Sequence, residues 1–362
     1  MRTLLVTGGC GFIGSNFVRY LLAKHPDYEV INLDKLTYAG NPENLADLTG
    51  DSRYRFVHGD ICDDALVDRL MSNVDAVVNF AAESHVDRSI MGGAEFVQTD
   101  VYGTYVLLEA AARHQLQRFH QISTDEVYGS LESGAWTEDW PLEPRNPYSA
   151  SKAGAEMLVR AYHTTHGLAT VVTRASNNIG PYQYPEKRVP LYITNAVDDL
   201  PLPIYGNGRQ VRDHLHVADH CSAIDLVLHR GEAGEVYNVG GTNDGDGLMV
   251  ARTILEALGK PESLIEFVDD RPGHDQRYAL DSTRVRDLGW SPEFDFTAAM
   301  RDTINWYVGH EDWWRAIKAS DDYKQYYQRQ YGSTTSVNTV ESQVCSAGAP
   351  AGAGGEEKDR RI

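Results

Sequence analysis

Short unbroken apolar runs alternate with longer stretches of helical periodicity over the first half of the chain. The runs cover 4–6, 30–33, 55–57, 76–80, 119–122 and 170–173, and the helical stretches cover 15–23, 64–71, 94–113 and 150–165. Because the runs are continuous, they predict strands buried on both faces, as a parallel sheet requires. Repeated strand–helix units predict an α/β chain with a Rossmann-type doubly wound parallel sheet.

The texture changes after Gly180, where Pro181, Pro185, Pro190, Pro201 and Pro203 cut the pattern into short pieces. A smaller, mixed α/β C-terminal lobe is expected there. A helical stretch at 218–228 and a strand at 236–239 are expected to return to the main sheet, with further helices at 249–258 and 296–307. The predicted organisation is therefore a Rossmann domain at 1–178 with a return segment at 213–242, and a lobe made of 179–212 and 243–331. The tail, 332–362, is rich in Ser, Thr, Ala and Gly and is expected to be disordered for want of apolar residues.

Composition narrows the partners. A net charge of -19 over 362 residues disfavours nucleic acid and anionic membranes. No apolar run approaches a membrane span, and the first residues read as a buried strand and not as a signal peptide. Cys10, Cys62, Cys221 and Cys345 have no CxxC spacing, which argues against a zinc knuckle or a disulfide framework and fits a reducing cytoplasm.

Candidate chemistry begins at Thr7-Gly8-Gly9-Cys10-Gly11-Phe12-Ile13-Gly14. Gly8, Gly11 and Gly14 follow a strand and open a helix, so the chain can turn tightly and backbone amides can approach a pyrophosphate. Asp34 closes the second strand, where an acid accepts hydrogen bonds from ribose hydroxyls and repels a 2'-phosphate. NAD is favoured over NADP, although Lys35 beside it partly offsets that repulsion.

Tyr148 and Lys152 are spaced to share one helix face. An ammonium near a phenol favours phenolate, which predicts a lowered Tyr148 pKa and a base for a substrate hydroxyl. The same spacing also suits an ordinary amphipathic helix start. Ser123-Thr124-Asp125-Glu126, at the end of an earlier strand, adds a hydroxyl and two carboxylates. Burial and the neighbouring Glu126 would raise the Asp125 pKa and keep that group protonated.

These motifs resemble those of the extended short-chain dehydrogenases/reductases, and Thr-Asp-Glu resembles the nucleoside-diphosphoglucose 4,6-dehydratases, above all those acting on dTDP-glucose. The similarity extends through Asp34 to Asn41, His58 to Ile61, Asn79 to Ser89, Ser176 to Asn178, Gly180 to Gln183, Pro185 to Lys187, Pro203 to Gly206 and Asp270 to Asp275. It implies that Tyr148, assisted by Lys152 and Thr124, deprotonates the C4 hydroxyl while hydride passes to NAD. Glu126 then removes the C5 proton, Asp125 protonates the departing C6 hydroxyl, and hydride returns to C6.

By the same resemblance, the cofactor pocket is expected to include Phe12, Ile13, Lys35, Leu36, Thr37, Asp60, Ile61, Phe80, Ala81, Ala82, Ser84, Thr99 and Asn178, besides the glycines, Asp34, Tyr148 and Lys152. The nucleotide sugar is expected to meet Ser84, Thr124, Asn177, Lys187, Arg188, Pro203, Ile204, Tyr205, Arg212, Arg271 and His274. Members are commonly homodimers joined through two helices per subunit, here 94–113 and 150–165. Departures from the family pattern fall at Ile179, Arg188 and Gly247.

His214, His216 and His220 are not expected to bind metal, since no Cys or carboxylate completes a known ligand spacing. The aromatic residues from Trp306 to Tyr327 are expected to pack the smaller lobe. Two rival readings are a nucleotide-sugar 4-epimerase, which needs Tyr148 and NAD but not the two carboxylates, and a catalytically silent NAD binder.

Overall fold

The computed structural model describes residues 1–241, 244–270 and 275–331; the tail expected to be disordered lies outside them. Twelve strands run among the described residues: β1 (Thr3–Thr7), β2 (Glu29–Asp34), β3 (Tyr54–His58), β4 (Ala76–Asn79), β5 (Arg118–Thr124), β6 (Thr170–Ala175), β7 (Asn177–Ile179), β8 (Leu202–Tyr205), β9 (Val211–His216), β10 (Val236–Val239), β11 (Asp244–Asp246) and β12 (Ile265–Val268). Seven of them form an all-parallel sheet in the order β10-β6-β5-β4-β1-β2-β3.

Alternate residues of each central strand serve opposite faces. Leu5 and Val77 pack with Leu107 and Phe119 on one side, while Leu4, Val6 and Val78 pack with Phe17 and Ile224 on the other. Both faces are covered by helices, so apolar residues are needed at every position, and the runs are unbroken for that reason. Strand order reverses between β1 and β4, which opens a crevice beyond their carboxyl ends.

Three expectations are corrected. The run 55–57 falls in β3, which is the sheet edge: Phe56 is 38% exposed, because no further strand covers it. The stretch 94–113 is not one regular helix. Helix Ala94–Phe96 passes through a π-helical turn at Val97–Gly103 into helix Thr104–Arg113. Finally, Pro190 does not break the chain, since it lies in the first turn of helix Arg188–Val197, where the missing N–H has no intrahelical acceptor to lose.

The second half carries a three-stranded sheet, β11-β9-β7, and a two-stranded one, β12-β8. Ile193, Ile254, Tyr307 and Trp314 form its apolar core, so the late aromatic residues do pack there. Among the described residues no helix is long and apolar enough to cross a membrane.

Candidate active site

The glycine loop leaves β1 and enters helix Phe12–Lys24. Gly8 has φ +68°, and a Cβ there would lie 2.7 Å from the Ala81 backbone nitrogen. At Gly14 a Cβ would strike the Gly8 carbonyl oxygen. Only glycine permits this close packing of loop, β4 end and helix. The Asp34 carboxylate at the end of β2 accepts from Cys10 N at 2.9 Å and Leu36 N at 2.8 Å. Those bonds fix its direction and leave acceptor capacity for a ribose diol.

A cavity of about 290 Å³ opens at this crevice. It is lined by Gly8, Gly11, Phe12, Ile13, Gly14, Asp34, Lys35, Thr37, Asp60, Ile61, Phe80, Ala81, Ala82, Ser84, Thr99, Tyr148, Lys152 and Asn178. Leu36 is not on the wall. It sits at φ +55°, and its amide orients Asp34 instead. Lys35 is drawn aside, with Nζ 2.8 Å from Asp60 Oδ2, so it half-neutralises the acid beside the ribose position.

At the far end of β5, Thr124 caps a single turn of 3-10 helix, Asp125–Tyr128, by accepting from the Glu126 amide. The tight turn sends the two carboxylates different ways. Glu126 faces the cavity, with Asn146 Nδ2 3.4 Å from its Oε2. Asp125 turns inward, 1% exposed, and its Oδ2 has no hydrogen-bond partner. Burial first, then Glu126, push its pKa well above the usual carboxylate range against the opposing pull of Arg212. That direction favours the protonated form, which an acid needs before it donates.

Tyr148 opens helix Pro147–His166, which is held by an Asn146/Ser149 capping box. The expected lowering of its pKa is corrected. Burial, followed by the charges of Glu126 and Asp100, raises the phenol well above its ordinary range, and the Thr124 hydroxyl only partly counters this. Lys152 Nζ donates to the Ile122 carbonyl at 2.8 Å, and desolvation lowers its own pKa. Asp100 was not foreseen. It sits on the π-helical turn, accepts from Ser151 Oγ at 2.6 Å and Glu83 N at 2.9 Å, and burial lifts it to about 7. Glu95 and Glu109 lie in the same stretch, so nothing in the sequence singled Asp100 out.

A second cavity of about 170 Å³ adjoins the first. Asn177, Lys187, Arg188, Pro203, Ile204, Tyr205 and Arg212 line it. Ser84 and Thr124 belong to the first cavity, and Arg271 and His274 lie outside the described residues. Glu126, Asn177, Asn178, Gln183 and Lys187 line both, so the two spaces meet at the acid/base residues. Lys187 Nζ donates to the Ser84 carbonyl at 2.6 Å across that seam. Arg212 is buried, donates to the Asp275 carbonyl at 2.8 Å and lies 4.1 Å over the Tyr278 ring.

The chain matches the family model described as GDP-mannose 4,6 dehydratase over residues 5–303. It is 50% identical over 317 residues to a dTDP-glucose 4,6-dehydratase of Actinoplanes sp., spanning 86% of this chain and 99% of that one. The low-salt glycan biosynthesis protein Agl12 of Haloferax volcanii is 53% identical, over 85% of this chain and 99% of its own. The crystal structure of DesIV, the dTDP-glucose 4,6-dehydratase of Streptomyces venezuelae with NAD bound, superposes with a TM-score of 0.86 at 51% identity, covering 87% of this chain and all of that one.

This chain belongs to the nucleotide-sugar 4,6-dehydratase family.

Solved UDP-glucose 4-epimerases stand further off, at 31% and 28% identity. The family's departures in this chain sit around the second cavity. Arg188 Nη2 lies 3.0 Å from His214 Nε2, filling space between helix Arg188–Val197 and β9. Ile179 ends β7 and is buried, while Gly247 lines the second cavity without a side chain to offer. The three histidines are used separately: His214 on Arg188, His216 on Asp302, and His220 on the Asn178 amide oxygen. Tyr331, from the last described helix, and Gln210 also line the second cavity and were missed from sequence.

Proposed function

We propose that the chain converts dTDP-glucose to dTDP-4-keto-6-deoxyglucose with NAD, the dinucleotide lying in the first cavity, the hexose at the seam and the nucleotide in the second. The observation that carries this reading is the split pair: Glu126 faces both cavities and shares the first with Tyr148, while Asp125 behind it is buried. The glycine cradle and Asp34 fit the pyrophosphate and ribose of NAD. Bound NAD would supply the hydride acceptor for C4 and the hydride donor for C6.

The chain's own groups then divide the proton work. Tyr148, oriented by Thr124, accepts the C4 hydroxyl proton. A 4-ketone acidifies C5, and Glu126 is the carboxylate on the seam able to take that proton and to return it to C5 as hydride reaches C6. Asp125 lines neither cavity, so its side chain must turn out of the interior to hand a proton to the departing C6 hydroxyl. Lys187 and Arg212 supply positive charge for a diphosphate against the overall field.

The test is dTDP-glucose carrying deuterium at C4. Deuterium recovered in the C6 methyl of a 4-keto product is the expected result. A galactose product, favouring the epimerase, or no turnover of any nucleotide hexose, favouring a silent binder, would overturn the reading.

We also infer a homodimer. Val97, Tyr102 and Tyr105 on one helical run and Met157 on the neighbouring helix are exposed apolar residues on packed helices, which a second copy would cover. Sedimentation at micromolar concentration should give twice the chain mass, and a monomer there would refute the inference. The free thiols Cys10, Cys62 and Cys221 support the cytoplasm as its compartment.

A further inference from the structure

Helix Phe12–Lys24 ends at His25, and helix Val217–Arg230 packs beside it with Asp225 and His229 one turn apart. Their ligand atoms converge. His25 Nε2 lies 2.8 Å from Asp225 Oδ1, and His229 Nδ1 lies 3.3 Å from the same oxygen. One donor atom from each of the three residues falls within 4.8 Å of the others. None of the three lines either cavity of the active site.

We propose that His25, Asp225 and His229 form a site for a divalent transition metal of the zinc type. Two imidazoles and one carboxylate match the donor set such an ion takes, with a water at the fourth position. Metal–ligand bonds of about 2.0–2.2 Å in tetrahedral geometry put neighbouring donors about 3.3 Å apart. The two separations already present are close to that edge, and the third lies within 4.8 Å. Access is available, since the His25 and His229 side chains are about one-quarter exposed (23% and 28%).

The surroundings supply what ligands of this kind need behind them. Tyr28 Oη is 2.8 Å from His229 Nε2 and can accept its N–H, which directs the Nδ1 lone pair toward the ion. Lys24 Nζ lies 3.0 Å from Asp225 Oδ2, holding the carboxylate oxygen that the site does not use. Two contacts oppose binding and limit its strength. That same Lys24 charge repels a cation, and His229 Nδ1 lies 2.7 Å from the Asp225 carbonyl, where it donates a proton until metal displaces it. Protons compete with a metal for imidazole nitrogens, so binding weakens as pH falls.

The experiment is calorimetric titration of the full chain with Zn²⁺ above neutral pH, repeated on His25→Ala and His229→Ala. Saturable binding of one ion per chain, with each variant weakened about tenfold or more, is the expected result. A zinc-dependent rise in melting temperature should accompany it and vanish in both variants. Turnover of nucleotide hexose by the variants shows that they are folded. Absence of saturable binding up to millimolar Zn²⁺, or unchanged affinity in both variants, would show that these side chains are only an ion-pair clamp between two helices.

Discussion

Asp125→Asn and Glu126→Gln should each slow turnover by roughly 10²–10⁴, the range a positioned general acid or base contributes, while NAD binding stays close to that of the parent. Neither change disturbs the cradle around Gly8 and Asp34, because both residues sit on the turn after β5, Glu126 on the cavity wall and Asp125 buried behind it. Oxidation at C4 relies on Tyr148, so both variants should accumulate reduced cofactor in a single turnover. That spectral signature separates a block at elimination from a general loss of structure. Stability gives a second check. The Asp125 pKa is raised in the fold, so the unfolded chain ionises first, and stability is lost as pH rises from the ordinary carboxylate range up through the raised folded value. Asparagine, which never ionises, should leave the protein at least as stable at neutral pH. A variant that unfolds readily, or turnover reduced less than about tenfold, would contradict the assigned role.

The parts of this site that sequence revealed are those whose chemistry is local. Gly8 and Gly14 betray their backbone by being glycine. Tyr148 and Lys152 share a helix face by spacing, and Asp125 with Glu126 stand next to each other on one turn. What stayed hidden depends on contacts made across long stretches of chain. Tyr331 reaches the second cavity and contacts Tyr205, 126 residues away, an encounter no local pattern encodes. The Lys152 ammonium looked aimed at its helical neighbour, yet the Ile122 carbonyl, 30 residues earlier, captures it. Asp100 looked like one polar residue in a helix, and only the π-helical turn brings it against Ser151 and Glu83. The apolar run around Phe56 read as interior because periodicity reports strand type, while position in the sheet order decides burial.

Arg174→Met should destabilise the fold by about 3–5 kcal/mol, the cost of stranding a buried charge. Arg174 and Glu156 are 4% and 2% exposed, on β6 and the helix behind it. The guanidinium donates through Nη2 at 2.6 Å and Nε at 3.0 Å to Glu156 Oε2, and through Nη1 to Tyr128 Oη at 2.6 Å. Glu156 also accepts from Ser123 Oγ, and Tyr128 Oη donates to Asn238 Oδ1 at 2.8 Å. The network thus grips both ends of the Thr124–Tyr128 turn, one from Ser123 and one from Tyr128. Removing the arginine leaves the Glu156 carboxylate unpaired in the interior. Removing both charges with Arg174→Met/Glu156→Leu should recover much of the loss, since two charges no longer need desolvating. Urea unfolding of the single and double variants measures this directly. Turnover should remain depressed in the stable double variant, because Ser123 and Tyr128 lose the partner that sets the spacing of Thr124, Asp125 and Glu126. A single variant costing less than about 1 kcal/mol would mean that water reaches the pair and that the turn is held by its own backbone.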